Sequence, residues 1–187
     1  MDAMSTTGRA TQTHPDATPS GRIGAAHVAL VAACVAYGIL LLWQAFTLPD
    51  SVPGHIDGAG NVTRWGSRTE HLVLGGVMGI GMVAIFVLPG LLADKLPTDM
   101  LNLPHKDYWT RPENWPTARR MLNEDLAWFG AATLVFVGVL MWQMGAVASG
   151  TAGPWWVFWV VTAAYLVGVL AHSWSMVKGS RWRPPTP

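Results

Sequence analysis

Residues 126–177 read LAWFGAATLVFVGVLMWQMGAVASGTAGPWWVFWVVTAAYLVGVLAHSWSMV, 52 positions without one Asp, Glu, Lys or Arg. As one helix this stretch would run about 78 Å, more than twice the ~30 Å hydrocarbon core of a bilayer. It must therefore fold back on itself. The break falls at Ser149-Gly150-Thr151-Ala152-Gly153-Pro154, where two glycines end one helix and a proline opens the next. Two crossings result, 127–148 and 155–177.

The same pattern recurs upstream. Ile23 to Phe46 is 24 residues without charge, and His71 to Ala93 another 23, which gives spans near 24–46 and 72–93. The first run is longer than the 7–15 apolar residues of a signal-peptide core and reads as a span. Lipid cannot hydrogen-bond a peptide group, so each crossing has to be helical. Only 12% of the 187 residues are charged, about half the ~25% of a soluble domain, and 51% are hydrophobic. This balance excludes a soluble enzyme, a nucleic-acid binder and a disordered protein. The expected fold class is all-α: an integral membrane four-helix bundle with a short ordered extracytoplasmic loop. Residues 1–22 should be a disordered cytoplasmic tail, 23–178 the four-span membrane domain, and 179–187 a second cytoplasmic tail, with 183–187 disordered as well.

Basic residues near span ends set the orientation. Arg9, Arg22, Lys95, Lys106, Arg111, Arg119, Arg120, Lys178, Arg181 and Arg183 fall on one side, and only Arg64 and Arg68 on the other. Both termini and 94–125 are expected to be cytoplasmic in a multi-pass protein of the cell membrane, with 47–70 and the 149–154 turn outside. Tryptophans mark the same frame, Trp43, Trp155 and Trp156 at the outer interface and Trp128 and Trp174 at the inner one.

The connections carry the motifs. In the outer one, 47–70, prolines fix the approach, Gly58 and Gly60 permit tight turns, and Trp65 offers an anchor to the bundle. Pro53 to Asp57 is expected to extend as a short strand ending in a turn. His55, Asp57, Trp65 and Arg68 are the ligand-binding candidates of this loop. His55 and Asp57 bring imidazole and carboxylate together, and His71 could add a third metal ligand; the alternative is that His55 bonds loop backbone and Asp57 caps a turn. In the inner connection Asn102, Pro104, Lys106, Asp107, Tyr108 and Trp109 form a second motif, expected to pack against the inner helix ends. A helix should start at Pro116 and run into the third span, leaving Arg119 and Arg120 toward headgroups or water.

These connections resemble a family. Leu48-Pro49, Pro53 and His55, then Gly60 and Trp65-Gly66-Ser67-Arg68, look like the domain of unknown function of small bacterial membrane proteins that also heads the sporulation-delaying-toxin immunity proteins. Asn102-Leu103-Pro104 and Lys106-Asp107-Tyr108-Trp109 resemble the Asn-Leu-Pro-Asn-Lys-Asp-Tyr-Trp segment of its four-span members. The resemblance covers about residues 25–130 and departs at Thr63, where the family usually has Asp, and at His105, where it usually has Asn. It implies a fold and a membrane address and no reaction.

Polar residues in the spans are few. His27 and His172 near inner ends, and Gln44 and Gln143 near outer ends, read as interfacial packing. Gly75 and Gly79 permit close helix approach, read as internal packing, and Pro89 should kink or fray the second span. Cys34, the lone cysteine, allows no intrachain disulfide. No phosphate loop, catalytic triad, HExxH or cofactor fingerprint is present, and no span carries a mid-membrane charge. The expected function is therefore non-enzymatic, with no catalytic, cofactor or metal residues assigned. The expectation is an immunity-like or envelope-signal-sensing membrane protein whose outer loop, 47–70, senses or sequesters an extracellular peptide or envelope signal. The alternatives are an accessory subunit that stabilises a transporter or envelope enzyme, and an outer-face metal-dependent enzyme built on His55, Asp57 and His71. The expected partners are the lipid bilayer, a membrane protein or an extracellular peptide, and no nucleic acid.

Overall fold

The computed structural model describes residues 24–185; the expectations for 1–22 and 186–187 lie outside them. The order of elements is α1 (Ala25–Thr47), β1 (Ser51–Ile56), β2 (Val62–Ser67), α2 (Arg68–Leu92), a 3-10 turn (Thr98–Met100), α3 (Lys106–Trp109), α4 (Trp115–Ala148) and α5 (Trp156–Lys178). Among the described residues α1, α2, α4 and α5 are long and apolar enough to cross a membrane. The chain is a multi-pass membrane protein.

Local chemistry sets the helix ends. Pro49 disfavours helix at Leu48, whose ψ of 145° stops α1. Ser67 caps α2, its Oγ accepting from Glu70 N at 3.0 Å, so α2 starts at Arg68 rather than near 72. Pro116 lies in the first turn of α4, as expected, and α4 then runs unbroken through the third span. At its far end Gly150 takes φ +70°, and two bonds close a Schellman motif: Thr151 N to Ala146 O at 2.9 Å and Gly150 N to Val147 O at 3.1 Å. A side chain at Gly150 would be strained there.

Three helices share a core, with α4 at its centre. Along α1 the buried positions are Ala26, Leu30, Ala33, Tyr37 and Gln44, the helical stripe that faces α4. On α2 the buried positions are His71, Gly75, Gly79 and Gly90. A methyl group at Gly75 would fall 2.6 Å from Met141 Cε, and one at Gly79 2.5 Å from the Tyr37 ring. These glycines therefore do pack internally, and glycine is what lets α2 approach. The Tyr37 hydroxyl donates to Gly75 O at 2.8 Å, which uses the same close approach. Helix α5 stands apart. It packs on α4, none of its residues is buried, and no Cα of α5 lies within 8 Å of one in α1.

A polar side chain sits fully inside this core. Gln44 is 0% exposed, donates Nε2–H to Met141 O at 2.9 Å, and accepts from His71 Nε2 at 3.1 Å. The reading of Gln44 as interfacial packing is thereby corrected. It lies on the buried stripe of α1, seven residues after Tyr37, where an unpaired amide would be costly. Its two partners stitch α1 to α4 and to α2.

Candidate functional site

The connection between α1 and α2 is a folded hairpin. The extended segment expected at Pro53 to Asp57 is β1, and it has a partner strand that the sequence pattern did not announce. The antiparallel register pairs Ser51 with Ser67, Val52 with Gly66, Pro53 with Trp65, His55 with Arg64 and Ile56 with Val62. Irregularities on either side of His55 leave Gly54 and Thr63 without counterparts. β1 is the inward strand, with Val52 and Pro53 buried. β2 is mostly exposed.

Asp57 builds the turn. Its Oδ1 accepts from Ala59 N at 2.9 Å and Asn61 N at 2.8 Å, while Asn61 Nδ2 donates to Oδ2 at 3.1 Å. The Asn61 backbone N–H, then the Asn61 side-chain amide, hold the Asp57 carboxyl below the usual carboxylate range. Gly60, at φ +92°, completes the turn beneath the Trp155 ring; a Cβ there would meet Trp155 Cγ at 2.6 Å.

Three further contacts fix the hairpin to the bundle. Arg68 donates Nη1–H to Leu48 O at 2.9 Å and Nη2–H to Asp50 Oδ1 at 3.1 Å, which clamps the two roots together. Arg64 pairs with Glu70 at 2.6 Å and donates to Gly54 O at 3.3 Å. At the tip, Gly58 O accepts from both Trp155 Nε1 at 3.0 Å and Trp159 Nε1 at 3.3 Å.

The four candidates of this loop therefore separate. Asp57 and Arg68 are engaged with the turn and the roots. His55 is exposed, its Nδ1 beside Thr63 Oγ1 at 2.5 Å. Trp65 is not the anchor expected: it is 53% exposed, and Trp155 and Trp159 hold the tip instead. The reason is register. Trp65 lies on the outward strand opposite Pro53, whereas the tip reaches over the start of α5. His71 does not join His55 and Asp57; it is buried and bonded to Gln44. Among the described residues no three His, Cys, Asp or Glu side chains stand close enough to hold a metal ion. These three side chains do not converge, because helix α2 turns His71 toward Gln44 while the Asp57 carboxylate closes its own turn.

The opposite end of the bundle carries the second motif. Trp109 is buried with Leu101, Leu103, Ala118, Met121 and Trp182, so the segment packs against the helix ends as expected. Trp109 Nε1 donates to Trp182 O at 2.9 Å, and Trp182 Nε1 donates to Asp125 Oδ2 at 2.9 Å. Asp125 is 1% exposed; its other oxygen takes Arg181 Nη1 at 2.8 Å, and Arg181 Nη2 reaches Glu124 at 2.6 Å. His172 Nε2 lies 3.5 Å from Asp125 Oδ1, and its ring meets Phe129 edge-on with centroids 4.8 Å apart.

Around this centre, Tyr108 is half-buried and edge-on to Trp109, Pro104 is half-buried, and Asn102 and Asp107 are exposed. Lys106 Nζ lies 3.9 Å from Asp99. Arg119 does not face headgroups or water freely; it pairs with Asp94, which also accepts from Trp115 Nε1 at 2.8 Å. Sequence reasoning missed Trp182 and Asp125. A tryptophan in a short basic tail gave no signal, and Asp125 fell one residue before the charge-free run. The expected disorder does not extend to Arg183, whose Nη2 donates to Lys178 O at 2.8 Å.

Residues 29–80 match the family model described as Domain of unknown function (DUF1648). The chain carries a DUF1648 domain. No curated protein and no solved structure matches the chain. The DUF1648 domain takes in most of α1, the whole hairpin and the first half of α2, and so includes Gln44, Arg68 and His71. The partners that complete it, Met141, Trp155 and Trp159, come from α4 and the start of α5 outside the matched residues.

Proposed function

We propose that this is a non-enzymatic protein of the cell membrane, with both termini cytoplasmic, whose hairpin faces outward and reads an extracellular peptide or another envelope signal. One observation carries the reading. The hairpin is held by Arg68, Asp57, Trp155 and Trp159, while its outward strand leaves Thr63 exposed and Trp65 half-exposed, with the exposed His55 of β1 beside Thr63. A half-exposed indole on a rigid support is the kind of group that anchors a recognition surface. The resemblance to the domain that heads toxin-immunity proteins supports a peptide as the signal. Excess basic residues at the other end support the orientation.

The test leaves the supporting face intact. Trp65→Ala and His55→Ala/Thr63→Ala should abolish the phenotype that deletion of the gene produces, with insertion and helical content unchanged. If both variants behave as wild type, the hairpin is not the reading surface.

A second reading, an accessory subunit for a transporter or envelope enzyme, is favoured by a different feature. Gly38 on α1 and Gly76 on α2 have open space where a side chain would be, and they border an apolar groove of about 490 Å³ between the two helices. Close approach of another helix is feasible there. Purification in mild detergent distinguishes the two: Gly38→Leu/Gly76→Leu should release a co-purifying membrane protein on this reading, and Trp65→Ala should not.

A further inference from the structure

The hairpin has an open strand edge, and its register tells which main-chain groups line it. Among the described residues the sheet has two strands, so β2 has a strand on one side only. Arg68 N donates to Asp50 O at 2.9 Å, which makes Asp50 and Arg68 a hydrogen-bonded pair. Bonded and non-bonded pairs alternate along an antiparallel ladder. Ser51–Ser67 is therefore non-bonded, Val52–Gly66 bonded and Pro53–Trp65 non-bonded. Proline at that position agrees, since it has no N–H to give. Trp65 thus turns both its N–H and its C=O away from β1, and Ser67 turns its N–H the same way. The irregularities beside His55 lie toward the tip and leave Trp65 to Ser67 in regular register. The two edges of the ribbon are unlike. β1 packs on α4 and α2 with Val52 and Pro53 buried, whereas β2 is mostly exposed and lies near only β1 and α2, the helix that continues it. Lysine and proline ordinarily blunt a free edge. Here the proline sits on the covered strand, and Val62–Ser67 holds neither.

We propose that the open edge of β2 takes up an extended peptide as a third strand of the sheet. The Trp65 N–H and C=O and the Ser67 N–H bond the peptide backbone, and a side chain of the added strand on the Trp65 face packs against the half-exposed indole. The edge itself names the ligand class. An extended backbone offers N–H and C=O together at the two-residue spacing of Trp65 and Ser67, and a lipid or a sugar presents no such row. Recognition is then of a strand's main chain, tolerant of sequence except where it meets Trp65. The inference rests on the hairpin being the peptide-reading surface and specifies how it reads.

Amide hydrogen exchange resolved to single residues tests it on the full chain, in lipid nanodiscs that hold one copy each. Without a ligand, the Trp65 and Ser67 amides should exchange fast and those of Gly66 and Arg68 slowly. The probe is a blocked hexapeptide of alternating Thr and Val. For a Kd of ~1 mM, ~5 mM probe should slow exchange at Trp65 and Ser67 roughly sixfold and leave Gly66 unchanged. The same peptide with every amide N-methylated has no donor left and should do nothing. Slow exchange at Trp65 and Ser67 before any probe, or no slowing at ~5 mM, would overturn the proposal. Slow exchange confined to nanodiscs with two copies would give the edge to a second copy and overturn it likewise. The phenotypes of Trp65→Ala and His55→Ala/Thr63→Ala report separately on the function. If these variants lose it while exchange ignores the probe, side chains read the signal and strand addition is refuted alone. If they act as wild type while the probe slows exchange, the edge takes strands and the function lies elsewhere.

Discussion

Replacing Gln44 by leucine isolates the value of a fully buried amide. The substitution conserves bulk, so the change is chiefly in hydrogen bonding. It removes the bond to Met141 O at 2.9 Å and leaves the His71 N–H without its acceptor. Met141 O keeps its helical bond within α4, so its loss is about the 0.6 kcal/mol typical of interhelical side-chain bonds in membranes. The orphaned His71 donor is the larger effect at about 1–3 kcal/mol, since it is buried beneath the hairpin. Gln44→Leu should thus cost about 2–3 kcal/mol. Adding His71→Leu removes the orphan, and the double variant should recover most of that loss. Reversible unfolding in mixed micelles, followed by far-ultraviolet circular dichroism, measures all members of the cycle. Additive losses in the double variant would refute the coupling, and a neutral Gln44→Leu would refute the burial argument.

Other perturbations probe the remaining features. Gly79→Ala forces a methyl group to within 2.5 Å of the Tyr37 ring and should cost about 1–3 kcal/mol, whereas Gly76→Ala meets nothing within 4 Å and should be neutral or stabilising in the same unfolding assay. Trp182→Ala empties a slot in which the indole is 1% exposed and should destabilise the tail and the Leu101–Trp109 segment by up to about 3–5 kcal/mol, read as accelerated proteolysis between those residues. The Asp57 carboxyl is held below its unfolded value, so its contribution to the hairpin is fully present above the unfolded pKa and is lost as pH falls through the folded one. Acidification below the ordinary carboxylate range should loosen the tip, seen as a change in Trp155 and Trp159 emission, and Asp57→Asn should remove that pH dependence. With Cys34 replaced, cysteines at Ala59 and Ser149 should react with an impermeant thiol reagent on intact cells while one at Ser180 should not; the reverse pattern would invert the orientation.

The spans were legible because apolar length is a direct requirement of the bilayer, and the Gly150 to Pro154 break is written in residues with fixed backbone consequences. The start of α4 was legible at Pro116 for the same reason. What a helix buries along its axis was harder. Gln44 shares a face with Ala33 and Tyr37, but a glutamine near a span end resembles an interfacial residue until its partners on α2 and α4 are known. The second strand was hidden because Thr63, Arg64 and Trp65 lie on an outward face with no alternation to read. The exchange of Trp65 for Trp155 and Trp159 as the anchor depends on where the tip lands, which is a tertiary fact. Trp182 is the extreme case: its burial depends on a slot assembled from α3, α4 and the segment that precedes α3.

The reach of these stitches has a consequence for how the chain assembles. Gln44 bonds a carbonyl 97 positions later, Gly58 is bonded by Trp155 after another interval of 97, and Trp109 waits 73 positions for Trp182. A chain made from its N-terminus exposes the hairpin long before α4 and α5 exist to receive it. During that interval Gln44 and His71 have only each other, and a two-stranded ribbon is marginal on its own. Synthesis arrested before residue 141 should therefore yield inserted but protease-sensitive hairpins. Protection should arrive in a late step, when the last span enters the bilayer and both tryptophan donors reach Gly58.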